Sequence, residues 1–253
     1  MNNYAVLGLG LMGKAICYDL LTFDKNSKVF GFELNDNTRN EVDEFFSPFK
    51  DRFSSLHLDL KISDSPNEDK LVQLFRDNNI TVVFGAIDYK FNEYLSLVCL
   101  SAGCSYLDLG GNPEIVKKQF NLDSRVKDAG LTIVPDCGLA PGMANIIAAH
   151  VMDHYDTLDS CQIRVGGLPQ DPQTILNYQQ VFSIRGLTNE YLEDAIVIRD
   201  GKIEYVESLT EIESLKFPEP WGTLEAFQTA AERCRIHGLY ENWSRKFLCY
   251  RQG

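Results

Sequence analysis

The chain has 253 residues, a formal net charge of -12 and a hydrophobic fraction of 44%. This length exceeds the usual single domain of roughly 100 to 200 residues, so we expect two domains with sizeable cores. The acidic balance would repel phosphate backbones and anionic membranes, so it argues against nucleic-acid and membrane partners and favours a small-molecule ligand.

The first half of the chain alternates predicted strands and helices. Strands separated by helices of about ten to fifteen residues imply right-handed crossovers and a doubly wound parallel sheet, an α/β domain over residues 1–138. The predicted strands are YAVLGL (4–9), KVFGFEL (28–34), HLDLKI (57–62), ITVVFGAI (80–87), CSYLDLG (104–110) and LTIVPDCG (131–138). The predicted helices are KAICYDLLTF (14–23), NEDKLVQLFRDNN (67–79), FNEYLSLVCLSAG (91–103) and PEIVKKQFNLDSRVKDAG (113–130).

The pattern changes after residue 138. PGMANIIAAHVMDHY (141–155) predicts a strong helix opened by a proline. The segments QIRVGGLPQDP (162–172), AIVIRDGKIEYVE (195–207) and KFPEPW (216–221) look antiparallel. We therefore expect residues 139–253 to form a second, mixed α+β domain for substrate binding and dimerisation.

A glycine motif stands between the first predicted strand and the first predicted helix. Gly8, Gly10 and Gly13 form G-x-G-x-x-G, with Leu11 and Met12 inside the turn. In this context the first glycine permits the tight turn, the second lets a pyrophosphate approach the backbone, and the third allows close packing of helix on strand. The motif predicts a Rossmann-type site for a dinucleotide, the alternative being an ordinary glycine turn.

An acidic residue at the end of the second predicted strand favours NAD over NADP. Glu33 lies twenty residues after Gly13. A carboxylate there can accept both ribose hydroxyls and would repel a 2′-phosphate. Asp36 is a nearby substitute, and Glu33 could instead be a solvated charge, so NADP stays open.

Three other strand ends should reach the same edge of the sheet. Ala86, Ile87 and Tyr89 follow the fourth strand, residues 108–112 the fifth, and residues 135–142 the sixth. Ligands bind at the carboxyl ends of the strands in such sheets. We expect Ala86 and Ile87 to contact the cofactor in a hydride-transfer site.

Five segments of the chain carry a resemblance to a known family: VLGLGLMG, YLDLGGN, VPDCGLAPGMANIIA, VGGLPQDP followed by Tyr178, and GTLEAFQT. Together they resemble the saccharopine dehydrogenase-like enzymes, and within them the lysine 6-dehydrogenases and carboxynorspermidine dehydrogenases. The resemblance implies an NAD(P)-dependent oxidoreductase acting at a carbon–nitrogen bond of an amino acid or polyamine, usually as a homodimer. It spans about residues 4–229.

Lysine 6-dehydrogenase-like chemistry would pass a hydride from the amine-bearing carbon to the nicotinamide, and water would hydrolyse the imine to aminoadipate semialdehyde. The amine must lose a proton, so a carboxylate or thiol must accept it. Asp108, Asp136 and Cys137 are the candidates. The alternatives are a carboxylate bonding local amides for Asp108, a turn cap for Asp136 and a small buried hydrophobe for Cys137.

The substrate-binding candidates are three side chains. Tyr89 could line the nicotinamide pocket or cover the core, and Tyr178 follows the family-like GGLP segment. Arg185 offers a planar donor fork for a substrate carboxylate, with surface pairing as its alternative. Two further readings stay open: reductive condensation of a semialdehyde with an amine, as in saccharopine or carboxynorspermidine synthesis, and an NAD-binding protein without turnover.

No metal site is expected. His150 and His154 lie four residues apart on a predicted helix, but HVMDH lacks the glutamate of H-E-x-x-H and no third ligand accompanies them, so solvated histidines are the better interpretation. The cysteines show no C-x-x-C pair or zinc spacing, which predicts reduced thiols and a cytoplasmic protein. They are Cys17, Cys99, Cys104, Cys137, Cys161, Cys234 and Cys249.

The carboxyl-terminal segment differs from the rest in charge. Residues 230–253 hold five basic and two acidic side chains, or +3, which leaves -15 for the remainder. Family members typically continue for about a hundred residues beyond LEAFQT. We therefore hypothesise that the reading frame or gene is altered after about residue 229, which re-reading the DNA in the neighbouring frame would test.

Overall fold

The computed structural model describes residues 2–62, 70–167 and 184–230, together with residues 169, 171, 173 and 179. The chain divides into two compact units, Met1–Cys137 and Gly138–Gly253. The predicted strand 57–62 and helix 113–130 are corrected below, whereas the doubly wound α/β fold is confirmed.

The first unit is built on one parallel sheet of six strands in the order β3-β2-β1-β4-β5-β6. Its register pairs Leu7 with Phe32 of β2 on one side and with Gly85 of β4 on the other. The chain therefore winds outward in both directions from β1, and the switch point lies beside the glycine motif. The strands are β1 (Asn3–Leu7), β2 (Lys28–Glu33), β3 (Phe53–His57), β4 (Val82–Gly85), β5 (Ser105–Asp108) and β6 (Ile133–Val134).

Helices connect these strands. Successive side chains of β1 enter opposite clusters, because Ala5 and Leu7 belong to one buried core and Val6 to another. The sheet is thus covered on both faces, as parallel sheets require. The helices are α1 (Leu11–Phe23), α2 (Asp36–Phe45), α3 (Lys70–Asp77), α4 (Asn92–Ala102), α5 (Pro113–Phe120) and α6 (Asp123–Asp128), with short 3-10 turns at Ser47–Phe49 and Tyr89–Phe91.

The third strand lies earlier than the sequence predicts. HLDLKI at residues 57–62 was the expected strand, but β3 ends at His57, which pairs with Glu33. Phe53 opens the strand and is buried against the Phe46 ring, with ring centroids 4.5 Å apart. Two serines inside FSSLH hide the apolar alternation, whereas the alternating leucines downstream mimic it.

The predicted helix over residues 113–130 is two helices. The amide of Leu122 donates to the Gln119 carbonyl at 3.0 Å, three residues back instead of four. This tightened turn ends α5 and redirects the chain into α6. Apolar periodicity alone did not show the break, because each of the two helices buries an apolar residue, Val116 in α5 and Val126 in α6.

The described part of the second unit contains two helices and two antiparallel hairpins. The hairpin from AIVIRDGKIEYVE confirms the antiparallel prediction, whereas KFPEPW mostly forms the connection between β9 and β10. The described part of QIRVGGLPQDP contains no strand. The elements are α7 (Met143–Met152), α8 (Ile184–Leu192), β7 (Ala195–Arg199), β8 (Lys202–Val206), β9 (Glu213–Lys216) and β10 (Thr223–Ala226).

Among the residues that the structure describes, no helix is long and apolar enough to cross a bilayer.

Candidate functional site

The glycine turn joins β1 to α1 with three distinct steric environments. Gly8 has φ +86, and a Cβ there would lie 2.6 Å from the carbonyl oxygen of Ala86. A Cβ on Gly13 would lie 1.8 Å from the Gly8 oxygen. A Cβ on Gly10 would meet no atom within 4 Å among the residues that the structure describes. Packing therefore requires Gly8 and Gly13, whereas Gly10 faces open space.

The open space lies at the amino end of α1. Gly10 caps this helix without a capping side chain, and its carbonyl accepts from the Lys14 amide at 2.9 Å. Leu11 and Met12 in the first turn are exposed. Amide groups at a helix amino end and the helix dipole attract anions, so the turn suits a pyrophosphate.

Glu33 ties the end of β2 to this turn. One carboxylate oxygen accepts from the Leu9 amide at 2.9 Å, and the other accepts from the amides of Leu34 and Asn35, each also at 2.9 Å. The sequence predicted ribose binding for Glu33, with a solvated charge as the alternative, and missed this bracing of the phosphate turn. A carboxylate has about four acceptor positions, so one remains for a ligand.

Asp36, the predicted substitute for Glu33, belongs to a separate polar group. Its carboxylate accepts from Arg39 at 2.9 Å and lies 3.3 Å from Nδ1 of His57. Its side chain is largely exposed. Two groups that can carry positive charge therefore stand near the end of β2, beside the acidic residue predicted to exclude a 2′-phosphate.

Residues after β4 contact the turn directly, at the sheet edge where the sequence predicts that they bind a cofactor. The Ala86 amide donates to the Leu7 carbonyl at 2.8 Å, which extends the pairing of β1 and β4. The Ile87 side chain lies 2.6 Å from the Cβ position of Gly8. Tyr89 is half-buried, and its ring covers the backbone of Gly111.

Asp108 ends β5 and is 1% exposed. Its Oδ1 accepts from the amides of Gly110 at 2.8 Å and Asp136 at 3.3 Å, and its Oδ2 accepts from the Gln119 amide at 2.7 Å. Burial raises the pKa of this carboxyl, and these hydrogen bonds oppose the rise. The geometry favours the alternative of bonding local amides over direct contact with a substrate.

Asp136 and Cys137 follow β6. Asp136 has φ +58, a left-handed conformation that aspartate tolerates better than most residues, and its carboxylate lies against Gly110. The Cys137 amide donates to the Asp108 carbonyl at 2.7 Å, and its Sγ donates to the Val134 carbonyl at 3.5 Å. Burial and the nearby Asp108 and Asp136 raise the pKa of Cys137 to about 11, so the group is a thiol at neutral pH.

The cleft in the first unit therefore combines a phosphate turn with strand ends that carry one half-buried carboxylate and one protonated thiol. Asp136 is the better of the candidate proton acceptors, because the Cys137 thiol is already protonated and Asp108 is enclosed. Sequence reasoning missed Gln119, which has no signal in a single sequence because it is a polar residue on an amphipathic helix.

Other predicted residues lie elsewhere. Tyr178 lies outside the described residues, and of Arg185 only the backbone, in α8, is described. His150 and His154 have ring centroids 4.6 Å apart, and no group of three potential metal ligands occurs in the described part of the chain. Lys117 and Lys118 of α5 are both exposed, and Lys118 pairs with Glu93 at 2.7 Å.

A family model described as "Saccharopine dehydrogenase C-terminal domain" matches residues 138–246. The match includes most of the segment that the sequence marks as altered. The matched residues belong to the second unit, whereas the glycine motif belongs to the first.

Two relatives and one solved structure extend the match to the first unit. Alpha-aminoadipic semialdehyde synthase of Bos taurus is 22% identical over 78% of this chain and 20% of its own length. Saccharopine dehydrogenase [NADP(+), L-glutamate-forming] of Saccharomyces cerevisiae is 29% identical over 57% of this chain and 33% of its own. The apo structure of the saccharopine dehydrogenase (L-Glu forming) from Saccharomyces cerevisiae has a TM-score of 0.68, 20% identity and coverage of 97% of this chain and 52% of that chain.

The chain thus spans a third or less of the length of these two relatives and about half of the solved structure. The resemblance to the saccharopine dehydrogenase-like family that the sequence predicts is confirmed.

Proposed function

We propose, on the premise that this chain is a saccharopine dehydrogenase-like protein, that it is a nicotinamide-dependent oxidoreductase acting on a CH–NH group of an amino acid or polyamine. The glycine turn carries the proposal. Two of its glycines are fixed by packing, and the third, Gly10, leaves open space at the amino end of α1. A pyrophosphate fits that space.

Gly8, Gly10, Leu11, Met12 and Gly13 would hold the pyrophosphate. Glu33 would accept a ribose hydroxyl with its remaining acceptor position, and Ala86 and Ile87 would flank the cofactor beyond β4. When bound, a nicotinamide supplies the hydride acceptor or donor of the reaction. We propose NAD as the preferred form, although the yeast relative is named for NADP(+), because Glu33 stands at the end of β2.

The chain's own residues would prepare the substrate. Asp136 would accept the proton of the substrate amine, because its carboxylate is half-buried at the strand ends. Cys137 would contribute a neutral surface. Tyr89 would cover the reacting region. Tyr178 and Arg185 are the proposed substrate-binding residues.

Two substrate classes fit this chemistry. Oxidative deamination at the side-chain amine of lysine is the class implied by the resemblance to lysine 6-dehydrogenases. The names of the relatives reported above favour the alternative, in which a secondary amine such as saccharopine is cleaved or formed. An NAD-binding protein without turnover is the remaining possibility.

Absorbance at the NADH band distinguishes these three proposed functions. Purified protein with NAD and lysine should form NADH if the first class holds, and with NAD and saccharopine if the second holds. Semialdehyde plus amine should consume NADH in the reverse direction. Tight NAD binding with no absorbance change for any of these mixtures would leave the non-catalytic reading.

We also propose that the protein acts as a homodimer in the cytoplasm, without nucleic-acid or membrane partners. The family resemblance supports the dimer. The acidic charge argues against nucleic-acid and membrane partners, and the free cysteines among the described residues support the cytoplasmic location. Light scattering on the eluting protein should give twice the 28.6 kDa chain mass. A single chain mass at micromolar concentration would contradict the dimer.

A further inference from the structure

Beneath the carboxyl ends of β4 and β5 lies a buried polar chain that the proposed chemistry does not use. Gln119 on α5 is 3% exposed. Its amide nitrogen donates to Oδ2 of Asp108 at 2.7 Å and to Oγ of Ser96 on α4 at 3.0 Å. The Ser96 hydroxyl in turn donates to the Asn92 carbonyl at 2.7 Å, and Tyr106 donates to the Asn92 side chain at 3.0 Å.

Asp108 connects this buried hydrogen-bond network to the segments of the candidate site. Through its carboxylate it holds the amides of Gly110 and Asp136, and through its carbonyl it holds the amide of Cys137. One residue therefore joins the segment after β5 to the segment after β6. Oδ2 is turned toward Gln119, the side-chain donor that it uses among the described residues.

We propose that Gln119 is a positioning residue, which holds the Asp108 carboxylate so that the segments carrying Gly110 and Asp136 keep their geometry for the reaction. The inference deepens the proposed function and rests on it for its catalytic part. Without the Gln119 donor, the Asp108 carboxylate would be buried with one oxygen unsatisfied, which is unfavourable for a charged group. The side chain would then rotate or take up a proton, and the amides it holds would be released.

The structure describes few other titratable groups near Asp108. Burial raises the pKa of Tyr106 on the same strand and of Cys137 after β6, and the charge of Asp108 adds to both rises. Asp136 adds a further rise to the pKa of Cys137. On α4 and α5 the Glu93–Lys118 ion pair lies at the surface. A new carboxyl at position 119 would therefore interact mainly with Asp108.

Three variants of the full chain test the proposal. Gln119→Met removes the donor at similar volume. Gln119→Glu keeps a donor only while its carboxyl is protonated. Ser96→Ala is the matched control, because it removes the other contact of Gln119 without touching Asp108.

The first readout does not depend on turnover: the alkylation rate of Cys137 at pH 8, measured by mass spectrometry and normalised to the exposed Cys161. Gln119→Met should raise this ratio several-fold, because the segment after β6 loses its anchor, while Ser96→Ala leaves it unchanged. An unchanged ratio in a folded Gln119→Met variant, or an equal rise in Ser96→Ala, overturns the proposal.

The second readout is the pH profile of NADH formation. Gln119→Met should lower kcat by about 10- to 100-fold, as misplacement of reacting groups by about 1 Å does, with NAD affinity within about twofold of wild type. Gln119→Glu should match wild type at acidic pH and lose activity as pH rises, because the shared proton leaves. A wild-type profile in both variants overturns the catalytic part. Absence of turnover in the wild type would instead reject the proposed function, and the alkylation ratio would still decide on positioning.

Discussion

At the scale of single residues, Gly13 is required for packing, whereas Gly10 leaves space for a ligand. Both belong to the motif that the sequence identifies, yet a Cβ on Gly13 collides with the Gly8 carbonyl and a Cβ on Gly10 meets only open space in the described part of the structure. The sequence pattern predicts the three glycines equally well. It cannot say which of them serves packing and which serves a ligand.

Gly10→Ala is expected to keep the fold and lose the cofactor. The free energy of unfolding should stay within about 1 kcal/mol of wild type, because alanine fits the space and restricts the unfolded chain. NAD affinity should fall by at least about tenfold, since the methyl group occupies the pyrophosphate position. Calorimetric titration and denaturant unfolding measure the two quantities.

Gly13→Ala is the matched comparison and should unfold far more easily than Gly10→Ala. The Cβ would lie 1.8 Å from a backbone oxygen, so α1 must move away from β1. If both variants lose NAD affinity with equal and small changes in stability, the assignment of Gly13 to packing is wrong.

The Cys137 thiol should be alkylated slowly at neutral pH. Because its pKa is raised to about 11, the thiolate population is small at neutral pH and grows as pH approaches that value. The alkylation rate of this residue should therefore still be rising between pH 9 and pH 10, where an ordinary cysteine levels off. A plateau near pH 8.5 in peptide mass spectrometry would contradict the burial that the structure gives it.

At the scale of elements, β3 is the place where sequence and structure disagree most. Phe53→Ala should destabilise the protein by about 3 to 5 kcal/mol, because its ring is 7% exposed and packs on Phe46. Ile62→Ala should change stability by less than about 0.5 kcal/mol, since Ile62 is 58% exposed in the segment that the sequence predicts as the strand. Urea unfolding of both variants tests the assignment, and the reverse order of effects would overturn it.

The other five strands were predictable because parallel strands buried on both faces are short apolar runs, as in β1 and β4. The serines of β3 break that rule on an edge strand. The residues of the candidate site also differ in whether their positions could be predicted from the sequence. Residues adjacent in sequence to strand ends, such as Ala86 and Ile87, could be predicted, but Gln119 reaches Asp108 from a helix eleven residues on, and only the folded chain brings them together.

At the scale of the whole molecule, the first unit supplies the phosphate turn and the second matches the saccharopine dehydrogenase C-terminal domain. The sequence predicted this pairing through its resemblance to the saccharopine dehydrogenase-like enzymes, which spans about residues 4–229. It could not assign the substrate, since the side chains of Tyr178 and Arg185 depend on tertiary placement.

Thermal unfolding of the wild-type protein with NAD and with NADP tests the central claim most directly. If a dinucleotide binds at the glycine turn, NAD at about 100 times its Kd should stabilise the fold by about 2.7 kcal/mol and raise the thermal midpoint, with NADP requiring a higher concentration for the same rise. A midpoint that neither nucleotide changes, at concentrations up to several millimolar, would contradict cofactor binding and the oxidoreductase function built on it.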